Sequence, residues 1–166
     1  RQRQMCIRDR AYAAFAQETA VPLMNEFDNV LIVRTFSKSH ALAGMRIGYA
    51  IGSPRLIGAL KRIRDSFNSY PLDRLAQAAA EAAILDTDYT ARTVRLVCEA
   101  RDRCRAFLIA SGIPCLKSAT NFLFVKADPV DAAHVQQKLR EEGILVRHFK
   151  ADRLKAWLRV TVGTTE

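Results

Sequence analysis

The chain has 166 residues, of which 49% are apolar and 26% charged, a composition typical of a globular protein with a sizeable core. Its net charge is +9, but the basic residues are dispersed along predicted helices and interleaved with acids, which argues against a nucleic-acid partner. No apolar run approaches the roughly 20 residues of a membrane span. The first ten residues lack the apolar segment of a signal peptide. We therefore expect a cytoplasmic protein with no membrane partner.

The four cysteines indicate neither a zinc site nor a disulfide framework. They form no CxxC pair and have no histidines at the spacing of a zinc site. We interpret Cys98, Cys104 and Cys115 as ordinary thiols in a reducing compartment. The three histidines complete no ligand set, so we predict no metal.

In chain order, the first predicted elements are two apolar strands joined by a turn. Residues 12–26 are expected to form helix or loop, Val30–Thr35 a buried strand and Arg46–Ile51 a second strand. We expect both strands to belong to a parallel-type sheet and to have exposed edges in this chain. Ser53 and Pro54 predict the N-cap and first residue of a helix that ends near residue 68.

The second half is predicted to alternate helices with short strands. Helices are expected from residue 71 to 83 and from 87 to 111, the second with its arginines on an exposed face and with Gly112 as its C′ residue. A further helix should open at Asp128-Pro129 and close at Gly143. Short strands are expected at residues 114–116, 121–125, 144–149 and 157–162. This pattern is typical of a small α+β domain.

The turn between the first two strands carries the residue types that a phosphorylated aldehyde cofactor requires. Lys38 follows the first strand, and its amine can form an imine with an aldehyde. Thr35 and Ser37 supply hydroxyls beside it. Arg46 supplies a guanidinium, whose planar fork can donate two parallel bonds to a phosphate. The turn therefore predicts a site for such a cofactor.

Residues 35–49 closely resemble the lysine segment of fold-type I pyridoxal-phosphate enzymes, a class I/II aminotransferase pattern nearest to the histidinol-phosphate aminotransferase group. The matching positions are Ser37-Lys38, Ala43-Gly44 and Arg46-Ile47-Gly48-Tyr49, at the same spacing. The resemblance extends over residues 11–166. It implies an α/β fold, with a remnant of the large cofactor-binding domain at residues 11–68 and a small C-terminal domain at residues 69–166 that lacks its last helix.

The same resemblance implies roles for individual residues. Lys38 would bind pyridoxal 5'-phosphate and carry protons, and Tyr12 would meet the ring hydroxyl of the cofactor. Thr35, Ser37 and Arg46 would hold the phosphate.

Three residues of the second half are candidates for binding the substrate. The resemblance implies that Arg159 binds the substrate carboxylate or phosphate and that Arg147 is a second anion-binding residue. From the sequence, Arg159 can also be read as an arginine at a strand edge that faces water. Asn121 precedes a strand and either approaches the substrate or caps a turn.

The two ends of the chain depart from the family pattern. Residues 1–10 match no part of it, and we interpret them as a non-native leader. Asp9 falls where the family has the aspartate that pairs with the cofactor's ring nitrogen, but the apolar strand that should precede it is missing. The family's final helix is also missing. We therefore expect the C-terminal half of a longer enzyme, inactive by itself.

The implied reaction is transamination between L-histidinol phosphate and 2-oxoglutarate in histidine biosynthesis. The partners would be a small-molecule amino donor and a 2-oxo acid, with a homodimer as the full-length form. Two alternatives share the fold, namely an aromatic-amino-acid aminotransferase and a threonine-phosphate decarboxylase. A third, of another class, is a non-catalytic remnant.

Overall fold

The structure is a computed structural model that describes residues 6–9, by their backbone only, and residues 11–16, 19–68 and 70–163. Its helices and strands confirm the α/β class. Two compact units divide between Thr93 and Val94, within the longest helix; the domain boundary near residue 68 stays a prediction. In chain order the elements are β1 (Cys6–Asp9), α1 (Leu23–Glu26), β2 (Val30–Thr35), β3 (Gly48–Gly52), α2 (Pro54–Phe67), α3 (Arg74–Leu85), α4 (Thr87–Ala110), β4 (Phe122–Lys126), α5 (Ala132–Glu141), β5 (Arg147–His148) and β6 (Trp157–Thr161).

The first unit contains a three-stranded sheet with β2 in the middle. Strand β2 is parallel to β1 and antiparallel to β3. The expected parallel-type arrangement is therefore wrong for β2 and β3, because their connection holds no crossover helix. The expectation of exposed edges is wrong for β2, because it pairs with β1 on one side and with β3 on the other.

Two predicted features at the beginning of this sheet need correction. A strand does precede residue 10, since the backbone of Cys6–Asp9 pairs with β2 and places Asp9 opposite Val33. Strand β3 begins at Gly48 rather than Arg46. Arg46 has a left-handed backbone, with φ +55°, which a strand does not accommodate. The strand predicted at Val30–Thr35 is confirmed.

The N-termini of α2 and α3 differ from the sequence prediction. Ser53 is the N-cap of α2, but its hydroxyl donates to the Asp28 carbonyl at 3.0 Å instead of capping the helix. Helix α3 begins at Arg74, three residues later than expected at residue 71. The Asp73 carboxylate accepts from the Ala76 N–H at 2.8 Å and so fixes that start.

The second unit contains an antiparallel sheet in the order β4-β6-β5. Leu123 and Leu158 are buried on one face of this sheet. Helix α4 ends at Ala110, and Gly112 follows as the predicted C′ residue, with φ +75°. Gly112 N–H donates to Ile109 at 3.0 Å, and Ile113 N–H donates to Leu108 at 2.9 Å. This is the Schellman pattern that satisfies the last carbonyls of a helix.

Three elements of this unit are shorter than the sequence predicts. The strand expected at residues 114–116 is a single bridge between Cys115 and Val125. The strand expected at residues 144–149 is reduced to Arg147–His148. The helix expected from Asp128 begins at Ala132, where the Asp131 carboxylate accepts from the Ala133 N–H at 3.2 Å. None of the helices in the described ranges is both long and apolar enough to cross a membrane.

Candidate functional site

The connection between β2 and β3 presents Lys38 at the surface beside Tyr12. Lys38 is exposed, and its Nζ lies 5.9 Å from the centroid of the Tyr12 ring. Phe36, two residues earlier, is buried with Ile47 and Ala76. Its N–H donates to Ile47 at 3.2 Å, and its carbonyl accepts from Leu42 N–H at 3.1 Å. Phe36 therefore anchors the turn from which the lysine projects.

The two predicted phosphate-binding hydroxyls lie at the base of this turn and contact each other. Thr35 Oγ1 is 2.9 Å from Ser37 Oγ. The Thr35 hydroxyl accepts from the Ser37 N–H at 3.1 Å and donates to the Ile47 carbonyl at 3.2 Å. These bonds fix the direction of both side chains relative to the backbone that carries Lys38.

Arg46 lies in the left-handed region at the end of the same connection. Its Nη1 donates to the Ala43 carbonyl at 3.1 Å, and the side chain is exposed. No carboxylate in the described part of the chain forms an ion pair with it. The amine, the Ser37 hydroxyl and this guanidinium are donors that fit a phosphorylated aldehyde, and the Thr35 hydroxyl joins them only when it releases the Ile47 carbonyl.

His40 adds a neutral aromatic group to the same turn. Its ring centroid is 4.8 Å from that of Phe36, and its Nδ1 lies 3.0 Å from Ser39 Oγ. Partial burial lowers the pKa of His40 below its usual 6.5. This shift favours the neutral form of the imidazole.

The two predicted anion-binding arginines lie side by side in the second unit. Arg147 and Arg159 are direct cross-strand partners on β5 and β6. The guanidinium carbon of Arg159 is 5.2 Å from the Phe122 ring centroid, and that of Arg147 is 5.1 Å from the Phe149 ring centroid. Each cation therefore lies over an aromatic ring, a favourable interaction.

The electrostatics of this pair favour an anionic ligand. Like charges directly opposite each other on neighbouring strands are destabilising. Arg159 is half-buried, and its Nε is buried without a hydrogen-bond partner among the described residues. An unpaired buried donor is costly unless a ligand satisfies it. A carboxylate or phosphate bound beside the two guanidinium groups would offset the repulsion between the arginines.

Asn121 directly precedes β4, the strand that pairs with β6 and therefore lies beside Arg159. Its backbone carbonyl accepts from the Val162 N–H at 2.9 Å, which extends the pairing of β4 and β6 by one residue. Within the described ranges its side chain forms no hydrogen bond of the kind that caps a turn. The role of Asn121 at the substrate stays a prediction.

Sequence reasoning missed the aromatic rings that support these groups. Phe36 and Phe122 each occupy a strand or its end, where apolar residues are ordinarily read as core. The spacing of Phe122 and Arg159 along the chain gives no sign of their contact, because antiparallel pairing of β4 and β6 creates it. This contact could have been found from the sequence only by predicting that β4 pairs with β6.

The fold and the lysine turn define a chain of the fold-type I pyridoxal-phosphate class. A model of the family described as aminotransferase class I and II matches residues 1–166. The chain belongs to this family, whose members are enzymes that use pyridoxal 5'-phosphate. The predicted family, fold class and cofactor are thereby confirmed.

Several similar proteins of this family are named histidinol-phosphate aminotransferase, and each is longer than this chain. The chain is 53% identical over 158 residues to a histidinol-phosphate aminotransferase of Gluconacetobacter diazotrophicus, covering 95% of this chain and 44% of the relative. It is 48% identical to histidinol-phosphate aminotransferase 1 of Pseudomonas fluorescens, covering 95% and 45%. A crystal structure of the Sinorhizobium meliloti histidinol-phosphate aminotransferase with pyridoxal-5'-phosphate superposes with a TM-score of 0.83 at 32% identity, covering 97% and 45%. The chain thus spans about half the length of the relatives that it matches.

Proposed function

We propose that the chain is the C-terminal half of a pyridoxal-phosphate aminotransferase that exchanges an amino group between L-histidinol phosphate and 2-oxoglutarate. The whole enzyme is the longer protein that contains this chain. The observation that carries the proposal is Lys38 Nζ at 5.9 Å from the Tyr12 ring, at the end of strand β2. The names of relatives at 53% and 48% identity support the choice of substrate.

The residues of the first unit would bind the cofactor and move protons. When bound, pyridoxal phosphate acts as an electron sink for the carbon next to the amino group. Lys38 would take a proton from that carbon and deliver it to the carbon of the cofactor that carried the aldehyde, which requires a neutral amine within reach. Tyr12 would hold the cofactor ring through its hydroxyl. Thr35, Ser37 and Arg46 would hold the phosphate, and its negative charge would offset that of the guanidinium.

The residues of the second unit would bind the anionic groups of the substrates. Both proposed substrates carry such a group, a phosphate in the amino donor and carboxylates in the 2-oxo acid. Arg159 would bind the anion through its fork, and Arg147, its cross-strand neighbour, would add a second positive charge. Asn121 would contact the substrate from the beginning of β4. We further propose that the whole enzyme is a cytoplasmic homodimer in histidine biosynthesis.

One observation favours a second candidate, an aromatic-amino-acid aminotransferase. Phe124 lies opposite Arg159 in the β4–β6 register. Its ring centroid is 5.7 Å from that of Phe149 and 5.8 Å from that of Trp157. An aromatic surface beside an arginine would suit a substrate with one carboxylate and one ring. A threonine-phosphate decarboxylase needs the same anion site, whereas a non-catalytic remnant needs none of these groups.

Donor competition in the whole enzyme tests the proposal. The values of kcat/KM are measured for histidinol phosphate, phenylalanine and phosphothreonine, with 2-oxoglutarate as acceptor and Lys38→Ala as the inactive control. We expect histidinol phosphate to give the highest value. A higher kcat/KM for phenylalanine would support the second candidate, and release of carbon dioxide from phosphothreonine would support the decarboxylase. Turnover by Lys38→Ala equal to that of the unchanged enzyme would contradict both aminotransferase candidates and the decarboxylase.

A further inference from the structure

Helix α4 contains a buried arginine that the proposed chemistry does not use. Arg101 is only 7% exposed. Its Nε and Nη2 donate to the Asp102 carboxylate at 2.9 and 3.3 Å, and its Nη1 donates to the Thr120 carbonyl at 3.0 Å. Burying a guanidinium is costly unless its donors are paired. The contact with Asp102 stays within the helix, so the bond to Thr120 is the one that joins Arg101 to another segment.

The segment that receives this bond is a tight turn held by its own hydroxyls. Ser118 Oγ donates to the Phe122 carbonyl at 2.6 Å, and it accepts from the Thr120 N–H at 3.1 Å. The Phe122 N–H donates to Thr120 Oγ1 at 3.2 Å. These bonds between side chain and backbone tie residues 118–122 to one another in a single local turn. The Arg101 bond to Thr120 fixes this unit against α4.

The same turn supplies the ring that contacts Arg159 and joins directly to strand β4. Phe122 supplies the ring over which the Arg159 guanidinium lies, at 5.2 Å. Asn121 follows Thr120 directly, and its carbonyl accepts from the Val162 N–H at 2.9 Å. A displacement of the turn would therefore move the ring beneath Arg159 and the beginning of β4 together.

We propose that Arg101 is a positioning residue for the substrate anion, because it holds the 118–122 turn and, through Phe122, the Arg159 guanidinium in place. This inference rests on the proposed function, in which Arg159 binds that anion. Arg101 touches neither substrate nor cofactor. Its loss should weaken anion binding while leaving cofactor binding and the chemical step intact. The sequence prediction that the arginines of α4 lie on an exposed face is wrong for this residue.

The test compares Arg101→Met with Arg101→Lys in the whole enzyme, with Arg103→Met as the matched control on an exposed position of the same helix. The measurements are KM for both substrates, kcat, the Kd of pyridoxal phosphate and the Kd of maleate, an inert dicarboxylate. Arg101→Met should raise both KM values and the maleate Kd about tenfold, since small displacements of a binding group are costly. The kcat and the cofactor Kd should not change. Arg101→Lys should restore part of the loss, because one ammonium can still donate to Thr120.

A double mutant separates positioning from general destabilisation. With Arg159→Ala already present, Arg101→Met should raise the maleate Kd no further, because the group that it positions is gone. An equal further increase would overturn the proposal, as would an unchanged maleate Kd in a folded Arg101→Met enzyme. If Arg159→Ala itself leaves the maleate Kd unchanged, the proposed anion site fails and the inference fails with it. Should Arg101→Met not fold, Phe122→Leu tests the same link, and a normal maleate Kd there would overturn it.

Discussion

A single methyl group at position 48 should disturb the cofactor site. Gly48 is the first residue of β3 and lies opposite Thr35 of β2. A Cβ at this position would lie 2.9 Å from the carbonyl oxygen of Arg34, closer than such atoms approach in folded proteins. The obstacle is backbone of the central strand and not a flexible side chain. Gly48→Ala must therefore push β2 and β3 apart.

The crowding caused by Gly48→Ala should lower the free energy of unfolding. Overpacking of this kind costs about 1–3 kcal/mol. The residue before Gly48, Ile47, accepts hydrogen bonds from the Phe36 N–H and the Thr35 hydroxyl, each at 3.2 Å. Weakening either bond costs about 0.5–1.5 kcal/mol more. We expect the free energy of unfolding to fall by about 1.5–4.5 kcal/mol. Because the Thr35 hydroxyl would shift, the Kd of pyridoxal phosphate should rise about tenfold.

Gly44→Ala is the matched control, since a Cβ at Gly44 meets no atom within 4 Å. Its free energy of unfolding should stay within about 0.5 kcal/mol of the wild type. Denaturant unfolding of both variants of the whole enzyme, without cofactor, measures stability, and a cofactor titration measures Kd. Equal behaviour of the two variants would refute the reasoning, because it would show that contact with the β2 backbone does not constrain this position.

Three further predictions concern charged or titratable side chains. Arg46→Asn should weaken pyridoxal-phosphate binding by about 1.5–3 kcal/mol while tolerating the left-handed backbone, and an unchanged Kd would show that Arg46 does not hold the phosphate. Arg159→Lys should raise KM for both substrates about tenfold or more, because an ammonium cannot reproduce a planar fork; near-normal KM values would contradict the shared anion site. Burial lowers the pKa of His40 in the folded state below its unfolded value of about 6.5. The contribution of His40 to stability is therefore present above about pH 6.5. It is lost as the pH falls through the folded pKa, because the folded state takes up the proton less readily than the unfolded state. His40→Asn should therefore lose less stability than the wild type between about pH 7 and pH 5, and identical pH profiles would disprove that contribution.

The lysine turn could be predicted from the sequence because its groups are close in the chain. Thr35, Ser37, Lys38 and Arg46 lie within twelve consecutive positions, so their types and spacing indicate the chemistry without knowledge of the fold. Strand β2, which precedes them, could also be predicted, since an apolar run bounded by polar residues indicates a buried strand. Strand β1 could not be predicted in this way, because two of its four residues are charged and its pairing with β2 is set by partners distant in sequence.

The surroundings of the anion site could be predicted only in part. Arg147 and Arg159 were found by resemblance, but their direct opposition depends on the β5–β6 register, which the sequence does not state. Arg101 was assigned to an exposed face because arginine is rarely buried. Its burial becomes understandable only when Thr120, nineteen residues later, provides an acceptor for its guanidinium.

Covalent trapping on the lysine tests the central claim most directly. The whole enzyme is incubated with pyridoxal phosphate, reduced with borohydride, digested and analysed by mass spectrometry, with Lys38→Ala and the exposed Lys61→Ala as comparison variants. The account predicts a phosphopyridoxyl group on Lys38 in the wild type and in Lys61→Ala, and none at this site in Lys38→Ala, together with loss of the cofactor's imine absorbance in that variant. A wild-type enzyme labelled at another lysine, or an unchanged absorbance in Lys38→Ala, would contradict it.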